Sequence, residues 1–199
     1  MLLYDSPESG NCYKVRLMLA RTGISYERVE LSVVDRSNRD ETIGRDANPA
    51  LRVPTLRLDD GRFLAESGAI LWYLAEGTRM LPADAYERAQ VLQWMFFEQY
   101  DHEPNIAVAR FWLHLGGPEP DPGALAAKQE GGRRAITAME HHLTTRQFLV
   151  AERFTIADIA LYAYTHVAEE AGIDLRTYPA VLAWLDRVAS QPGHITIDA

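Results

Sequence analysis

Ser9, Asn11 and Cys12 crowd one turn, S-G-N-C at residues 9–12, after the apolar run 2–4 and before a segment whose apolar residues Val15, Met18 and Leu19 recur at helical spacing. A hydroxyl, an amide and a thiol therefore stand where a helix begins. The exposed N–H groups and positive dipole end of such a helix favour a negative charge, and a sulfur anion suits that setting. A free thiol titrates near 8.5, so lowering its pKa by roughly two units takes about 3 kcal/mol of differential stabilisation. One hydrogen bond to a charged group together with one helix end can supply that. Taken alone, a serine in this place is as readily an N-cap.

Two further stretches turn the reading toward a ligand. In R-V-P-T-L, residues 52–56, the Val53-Pro54 bond can be cis at modest cost, and a cis bond before a strand turns a backbone N–H and C=O outward to pair with an extended ligand. In E-S-G-A-I-L-W-Y-L-A, starting at Glu66, Ser67 is expected to N-cap a helix that buries Ile70, Leu71 and Leu74. The amides of that helix end can take a carboxylate while Glu66 takes an ammonium. The three pieces together fit a peptide-like thiol with a zwitterionic head, and in their company Ser9 reads as the thiol's hydrogen-bond partner.

The elements that must position these groups follow from the pattern. Residues 1–76 alternate strand (2–4), helix (11–22), strand (26–31), helix (38–46), a hairpin (55–65) and helix (67–76), which predicts a small mixed sheet with helices on both faces. G-T-R-M-L-P-A-D at 77–84 reads as a linker. Residues 85–199 read as helical throughout, with segments at 85–115, 123–143, 155–171 and 178–190, the first interrupted by Pro104. Thr155 and Asp158 have capping-box spacing, flanked by Phe154 and Ile159, and this is a stability device rather than a reactive site.

Composition narrows the function classes. Of 199 residues, 47% are hydrophobic and 24% charged, the ordinary balance of a globular protein, and the net charge is −8. Lys14 and Lys128 are the only lysines among the 20 basic residues and no basic stripe occurs, which speaks against nucleic acid as a partner. The lone cysteine, Cys12, permits no intramolecular disulfide and fits a reducing compartment. No basic leader and no long apolar run point to a membrane, so a cytoplasmic location is expected. His102 with Glu98 has i, i+4 spacing, but two ligands make no site, and no metal is expected.

The order and spacing of S-G-N-C-Y-K-V, R-V-P-T-L and E-S, together with F-L-V-A-E-R-F-T-I-A-D-I-A at 148–160, resemble the glutathione S-transferase superfamily along nearly the whole chain. The resemblance implies an α+β thioredoxin-like, glutathione-binding domain at 1–76, a linker at 77–84 and an all-α domain at 85–199. Glutathione would be the co-substrate, with its thiolate stabilised by Ser9. Asn11 would share the contact, since S-x-N-x-x-K is similar to a bacterial branch with Thr-Pro-Asn in this turn. Val53 and Pro54 would pair the tripeptide backbone, and Glu66 and Ser67 would hold its head. Arg52, where relatives often carry Lys or Gln, would hold the glycine carboxylate, with Arg39 a weaker candidate. Tyr100 and Phe111, with Cys12, would line a pocket for a small hydrophobic electrophile, while Trp94, Phe97 and Trp112 serve packing. The resemblance also implies a cytoplasmic homodimer working in detoxification, with Asp101 or Glu98 reaching the partner's tripeptide.

Three alternatives stand beside conjugation. The S-G-N-C turn has C-x-x-C spacing with serine in first place, so a dithiol cycle within the chain is excluded while a disulfide reductase running on glutathione's own sulfur is not. S-G-N-C-Y-K-V-R also partly echoes the zeta-type turn S-S-C-S-W-R-V-R, which implies cis–trans isomerisation of a dienoic acid. A non-catalytic interaction protein on the same fold is the third.

Overall fold

Leu3 and Tyr4, buried in the first strand, anchor a four-stranded sheet in the computed structural model, which describes residues 1–199. The chain divides into two units, Met1–Glu76 with Pro192–Ala199, and Gly77–Gln191. In the first unit the elements are β1 (Leu2–Asp5), α1 (Gly10–Thr22), β2 (Glu27–Glu30), α2 (Arg39–Thr42), β3 (Thr55–Arg57), β4 (Phe63–Ala65) and α3 (Ser67–Ala75). The strand order is β2-β1-β3-β4: β1 runs parallel to β2 and antiparallel to β3, and β3 is antiparallel to β4. Only the parallel pair requires a crossover, and α1 supplies it. α1 stops where Gly23, at φ 66°, adopts the left-handed conformation that a side chain would resist. The helix expected at 38–46 shrinks to the single turn of α2, because Gly44 breaks it at φ 77°.

The C-terminal residues 192–199, expected in the helical domain, instead pack with the first unit. Polar groups of α1 hold them. The Tyr13 hydroxyl donates to the Ile195 carbonyl at 2.6 Å, and Arg21 Nη1 donates to that of Pro192 at 2.9 Å. Arg16 is fully buried; its Nη1 donates to Asp5 Oδ1 at 2.7 Å and the Ser6 carbonyl at 3.1 Å, and its Nη2 to Pro7 at 2.9 Å and Ile197 at 2.6 Å. One guanidinium thus ties together the end of β1, the turn that leads to Ser9, and the tail. A buried pair of this kind is tolerable because most of its polar atoms find partners: Asp5 Oδ2 meets Arg28 Nη2 at 2.8 Å, and Arg16 Nε is left buried without a hydrogen bond.

The second unit is helical: α4 (Ala85–Phe97), α5 (Glu103–Leu113), α6 (Pro122–Leu143), α7 (Ile156–Thr165) and α8 (Pro179–Ala189). The single helix expected over 85–115 is two helices joined by a π turn at Glu98–His102, where the Glu103 N–H reaches back five residues to the Glu98 carbonyl. Pro104 has no N–H to offer the tighter ladder, and the widened turn absorbs the defect. The helix expected over 155–171 ends at Thr165 and is followed by a 3₁₀ turn at Ala168–Ala171. Close packing of α5 on α6 depends on Gly131, where a Cβ would stand 2.5 Å from the Asn105 side chain.

Every residue of α7 is buried, and Asp158 organises its start. The carboxylate accepts from the Thr155 N–H at 2.8 Å, the Thr155 hydroxyl at 3.1 Å, the Leu149 N–H at 3.0 Å and Trp184 Nε1 at 2.9 Å. The capping box legible in the sequence is therefore also a clamp on the preceding loop and on α8. No helix is long and apolar enough to cross a membrane.

Candidate functional site

The turn after β1 is built from its own hydrogen bonds. The Ser9 N–H reaches the Ser6 carbonyl at 3.1 Å, and the Ser9 side chain, 8% exposed, N-caps α1 by accepting the Cys12 N–H at 3.3 Å. A hydroxyl that accepts one bond still has a proton to donate. Ser6 is fully buried and its hydroxyl is turned onto Glu8 Oε2 at 3.1 Å, which leaves Ser9 as the hydroxyl at the helix start.

Asn11, half-buried in the first turn of α1, meets a residue 56 positions away. Its Oδ1 accepts from Ser67 Oγ at 3.2 Å and from Lys14 Nζ at 2.7 Å, and Lys14 Nζ also lies 3.5 Å from Ser67 Oγ. The N-terminal ends of α1 and α3 are thereby linked through a buried lysine. Sequence reasoning gave Lys14 no role, although the i, i+3 spacing from Asn11 puts the two on one helix face.

α3 starts differently from the expectation. Ser67 is its first helical residue and not its N-cap; that place belongs to Glu66, at φ 67° and ψ 119°, whose side chain makes no capping bond. The Ser67 hydroxyl is spent on Asn11, so it cannot fold back on its own helix. The amides of Ser67, Gly68 and Ala69 consequently have no acceptor within the chain. Glu66 itself is exposed, in a backbone conformation rare for a residue with a side chain.

The loop before β3 is pinned from one side only. The Arg52 carbonyl accepts from Asn48 Nδ2 at 2.9 Å and from the Thr55 hydroxyl at 2.8 Å, and the Val53-Pro54 bond is cis. Val53 packs against the cluster of Tyr4, Leu31 and Ile43, while its N–H and C=O have no partner in the chain. The Arg52 side chain is exposed and forms no ion pair. Arg39 is the opposite case: it is 3% exposed, donates through Nη2 to the Ser32 carbonyl, and keeps Nε and Nη1 buried without partners. Burial, and then Arg36, hold its pKa down, while Cys12 lies within electrostatic reach.

Cys12 cannot line a pocket, contrary to the expectation, because it is fully buried. Burial and then the Asp5 carboxylate push its thiol up to about 12, outweighing the Ser9 hydroxyl, the Ser6 backbone and Arg16, which pull it down. Such a thiol is a packing group. In the second unit, Tyr100 is 83% exposed on the π turn, whereas the half-buried Phe111 ring lies against the turn at Gly117. Trp94 is buried edge-on to Phe97 at 5.3 Å. No three His, Cys, Asp or Glu side chains gather closely enough to hold a metal ion.

Comparison with known proteins follows the same division of the chain. Residues 3–79 match the family model of the glutathione S-transferase N-terminal domain, and residues 101–192 match that of the C-terminal domain. The disulfide-bond oxidoreductase YfcG of Escherichia coli is 30% identical over 198 residues, covering 96% of this chain and 91% of that protein. Elongation factor 1-gamma of Artemia salina is 33% identical over 174 residues, 85% of this chain; the match spans 40% of that longer relative. Among solved structures, a possible glutathione S-transferase from Rhodopseudomonas palustris superposes with TM-score 0.93 at 50% identity, covering 100% of this chain and 98% of the other. Ure2p in complex with glutathione superposes with TM-score 0.87 at 25% identity, covering 96% and 95%.

Proposed function

Because the chain belongs to the glutathione S-transferase family, we propose that its first unit binds glutathione and activates the thiol for attack on a small hydrophobic electrophile. The observation that carries this reading is Val53, whose N–H and C=O are left without partners in a loop otherwise held by Asn48 and Thr55. A tripeptide strand satisfies both groups at once. The open amides at the start of α3 suit the γ-glutamyl carboxylate, and the exposed Glu66 suits its ammonium. The two orphaned donors of buried Arg39 suit the glycine carboxylate better than the solvated Arg52 does.

Chemically, Ser9 donates its hydroxyl proton as a hydrogen bond to the sulfur, Asn11 adds an amide donor, and the end of α1 supplies positive potential. The thiolate then forms a C–S bond with the electrophile as the displaced electron pair leaves on the departing group. We assign Tyr100 and Phe111 to the electrophile's surroundings. The working form is a cytoplasmic homodimer, for which the exposed Tyr86 and Phe96 of α4 offer apolar contact.

A second reading is favoured by the likeness to the E. coli oxidoreductase: glutathione-dependent disulfide reduction at the same site. With Cys12 buried, two glutathione sulfurs would supply both electrons, two glutathiones becoming one disulfide as the substrate disulfide becomes two thiols.

Calorimetric titration with glutathione tests the binding, and the ultraviolet absorbance of the bound thiolate against pH tests the activation. Binding with a thiol pKa below the free value, raised again in Ser9→Ala, is the expected result. Absence of binding overturns the reading. Parallel assays of conjugation, small-disulfide reduction and cis–trans isomerisation assign the reaction.

A further inference from the structure

Arg16 makes more hydrogen bonds than its charge requires. Fully buried in α1, it finds its counter-ion in Asp5, whose Oδ1 accepts from Nη1 at 2.7 Å. Its other Nη hydrogens go to backbone: the Ser6 carbonyl at 3.1 Å, the Pro7 carbonyl at 2.9 Å and the Ile197 carbonyl at 2.6 Å. Two of these carbonyls belong to the turn that leads into Ser9, and the Ser6 carbonyl also accepts the Ser9 N–H at 3.1 Å. The planar guanidinium fork therefore fixes the backbone from which the Ser9 hydroxyl is aimed.

The far side of the fork is held by the 192–199 tail. The Ile197 carbonyl meets Nη2, and the Tyr13 hydroxyl holds the Ile195 carbonyl at 2.6 Å. Arg28 makes a second bridge, its Nη2 2.8 Å from Asp5 Oδ2 and its Nη1 3.3 Å from the Ala199 backbone oxygen. Two arginines thus join the tail to one aspartate at the end of β1. A tail that shifts takes an acceptor away from Nη2, and the fork is then free to turn away from Pro7.

We propose that Arg16 is a positioning residue for the thiol reaction and that the tail is part of the same device: the guanidinium, steadied by the Ile197 carbonyl, holds the turn at Ser6 and Pro7 so that the Ser9 hydroxyl meets the glutathione sulfur. The inference rests on the glutathione reading above. Arg16 does not touch the sulfur; it acts through Ser9. Small displacements count here, because a hydrogen bond weakens steeply as its distance and angle depart from the optimum.

The test compares wild type, Arg16→Lys, Ser9→Ala and the double variant, each first checked by calorimetry for glutathione binding and by circular dichroism for folding. The readout is the pKa of the bound thiol from thiolate absorbance against pH, a quantity that a merely structural arginine leaves unmoved. Lysine keeps the charge, but its single nitrogen cannot span the four acceptors of the fork. Arg16→Lys is expected to raise the thiol pKa by about one unit, part of what a hydrogen bond to a charged group contributes. In the Ser9→Ala background the same substitution should add no further rise, because its effect passes through the hydroxyl. Tyr13→Phe probes the tail separately: it removes the hold on Ile195 and keeps the ring that lies 5.9 Å from Arg16 Cζ. It should raise the thiol pKa by a smaller step, and it decides the test alone if Arg16→Lys does not fold. An unchanged thiol pKa in Arg16→Lys, with glutathione still bound, overturns the proposal and leaves the glutathione reading intact. An unchanged pKa in Tyr13→Phe overturns the part given to the tail, and an equal shift with and without Ser9 overturns the positioning role. Failure of wild type to bind glutathione refutes the underlying reading instead.

Discussion

Asp158→Ala removes the one acceptor shared by three buried donors, the Thr155 and Leu149 N–H groups and Trp184 Nε1. Each donor left unsatisfied costs roughly 1–3 kcal/mol, so allowing for some relaxation the loss should be about 4 kcal/mol. Equilibrium denaturation followed by tryptophan fluorescence reads it, since Trp184 is fully buried. A loss below about 1 kcal/mol would refute the reasoning, because at least one orphaned donor would then have cost almost nothing. A second measurement isolates the charge. Burial pushes the Asp158 carboxyl from 3.8 up to about 6, against the pull of its four donors. The folded state therefore binds the proton more tightly than the unfolded one. That contribution is complete below about pH 4 and is lost as pH rises through about 6; two units correspond to about 3 kcal/mol. Asp158→Asn cannot ionise, so the stability of wild type relative to this variant should fall by about that amount between pH 4 and pH 7. A difference that grows with pH instead would mean that the four donors, and not burial, set the carboxyl's ionisation.

Other perturbations probe the remaining parts of the structure. Cys12 should resist a disulfide-type thiol reagent in the native protein at pH 8 and react with it in denaturant, because the thiol is fully buried and pushed up to about 12; rapid native labelling would contradict this. Arg16→Met should cost about 3 kcal/mol in denaturant titration, the lower range for breaking a buried pair, because Arg28 still meets Asp5 Oδ2 at 2.8 Å. Hydrogen exchange should also show the 192–199 tail loosened in that variant. Glu66→Gly should gain about 1 kcal/mol by relieving the positive φ while weakening glutathione binding, and a loss in both would show that the backbone there is not strained.

Local features were legible in the sequence. The N-cap of α1, the Thr155–Asp158 capping box and the alternation of strand and helix through the first unit each depend on residues within four positions of one another, so their chemistry is written in the order of the chain. Even locally, competition can reverse an assignment: Ser67 has the right side chain to cap α3 but gives its hydroxyl to Asn11, 56 residues earlier. Pro104 announced an interruption, but only the packed helices show it absorbed as a π turn with Glu98 and His102 buried.

Long-range contacts were decided by the tertiary structure alone. Tyr13 and Arg16 carry no mark in the sequence of the tail they hold, which lies more than 180 positions away. The burial of Arg39 and Lys14, against the exposure of Arg52, likewise depends on which surfaces close over them. The sequence by itself determined where helices begin and which residue types crowd the turn at Ser9, because capping and periodicity are short-range. Which of those groups are spent on the protein and which remain for a ligand was settled only when distant segments packed, because a hydrogen bond already made is no longer available to another partner.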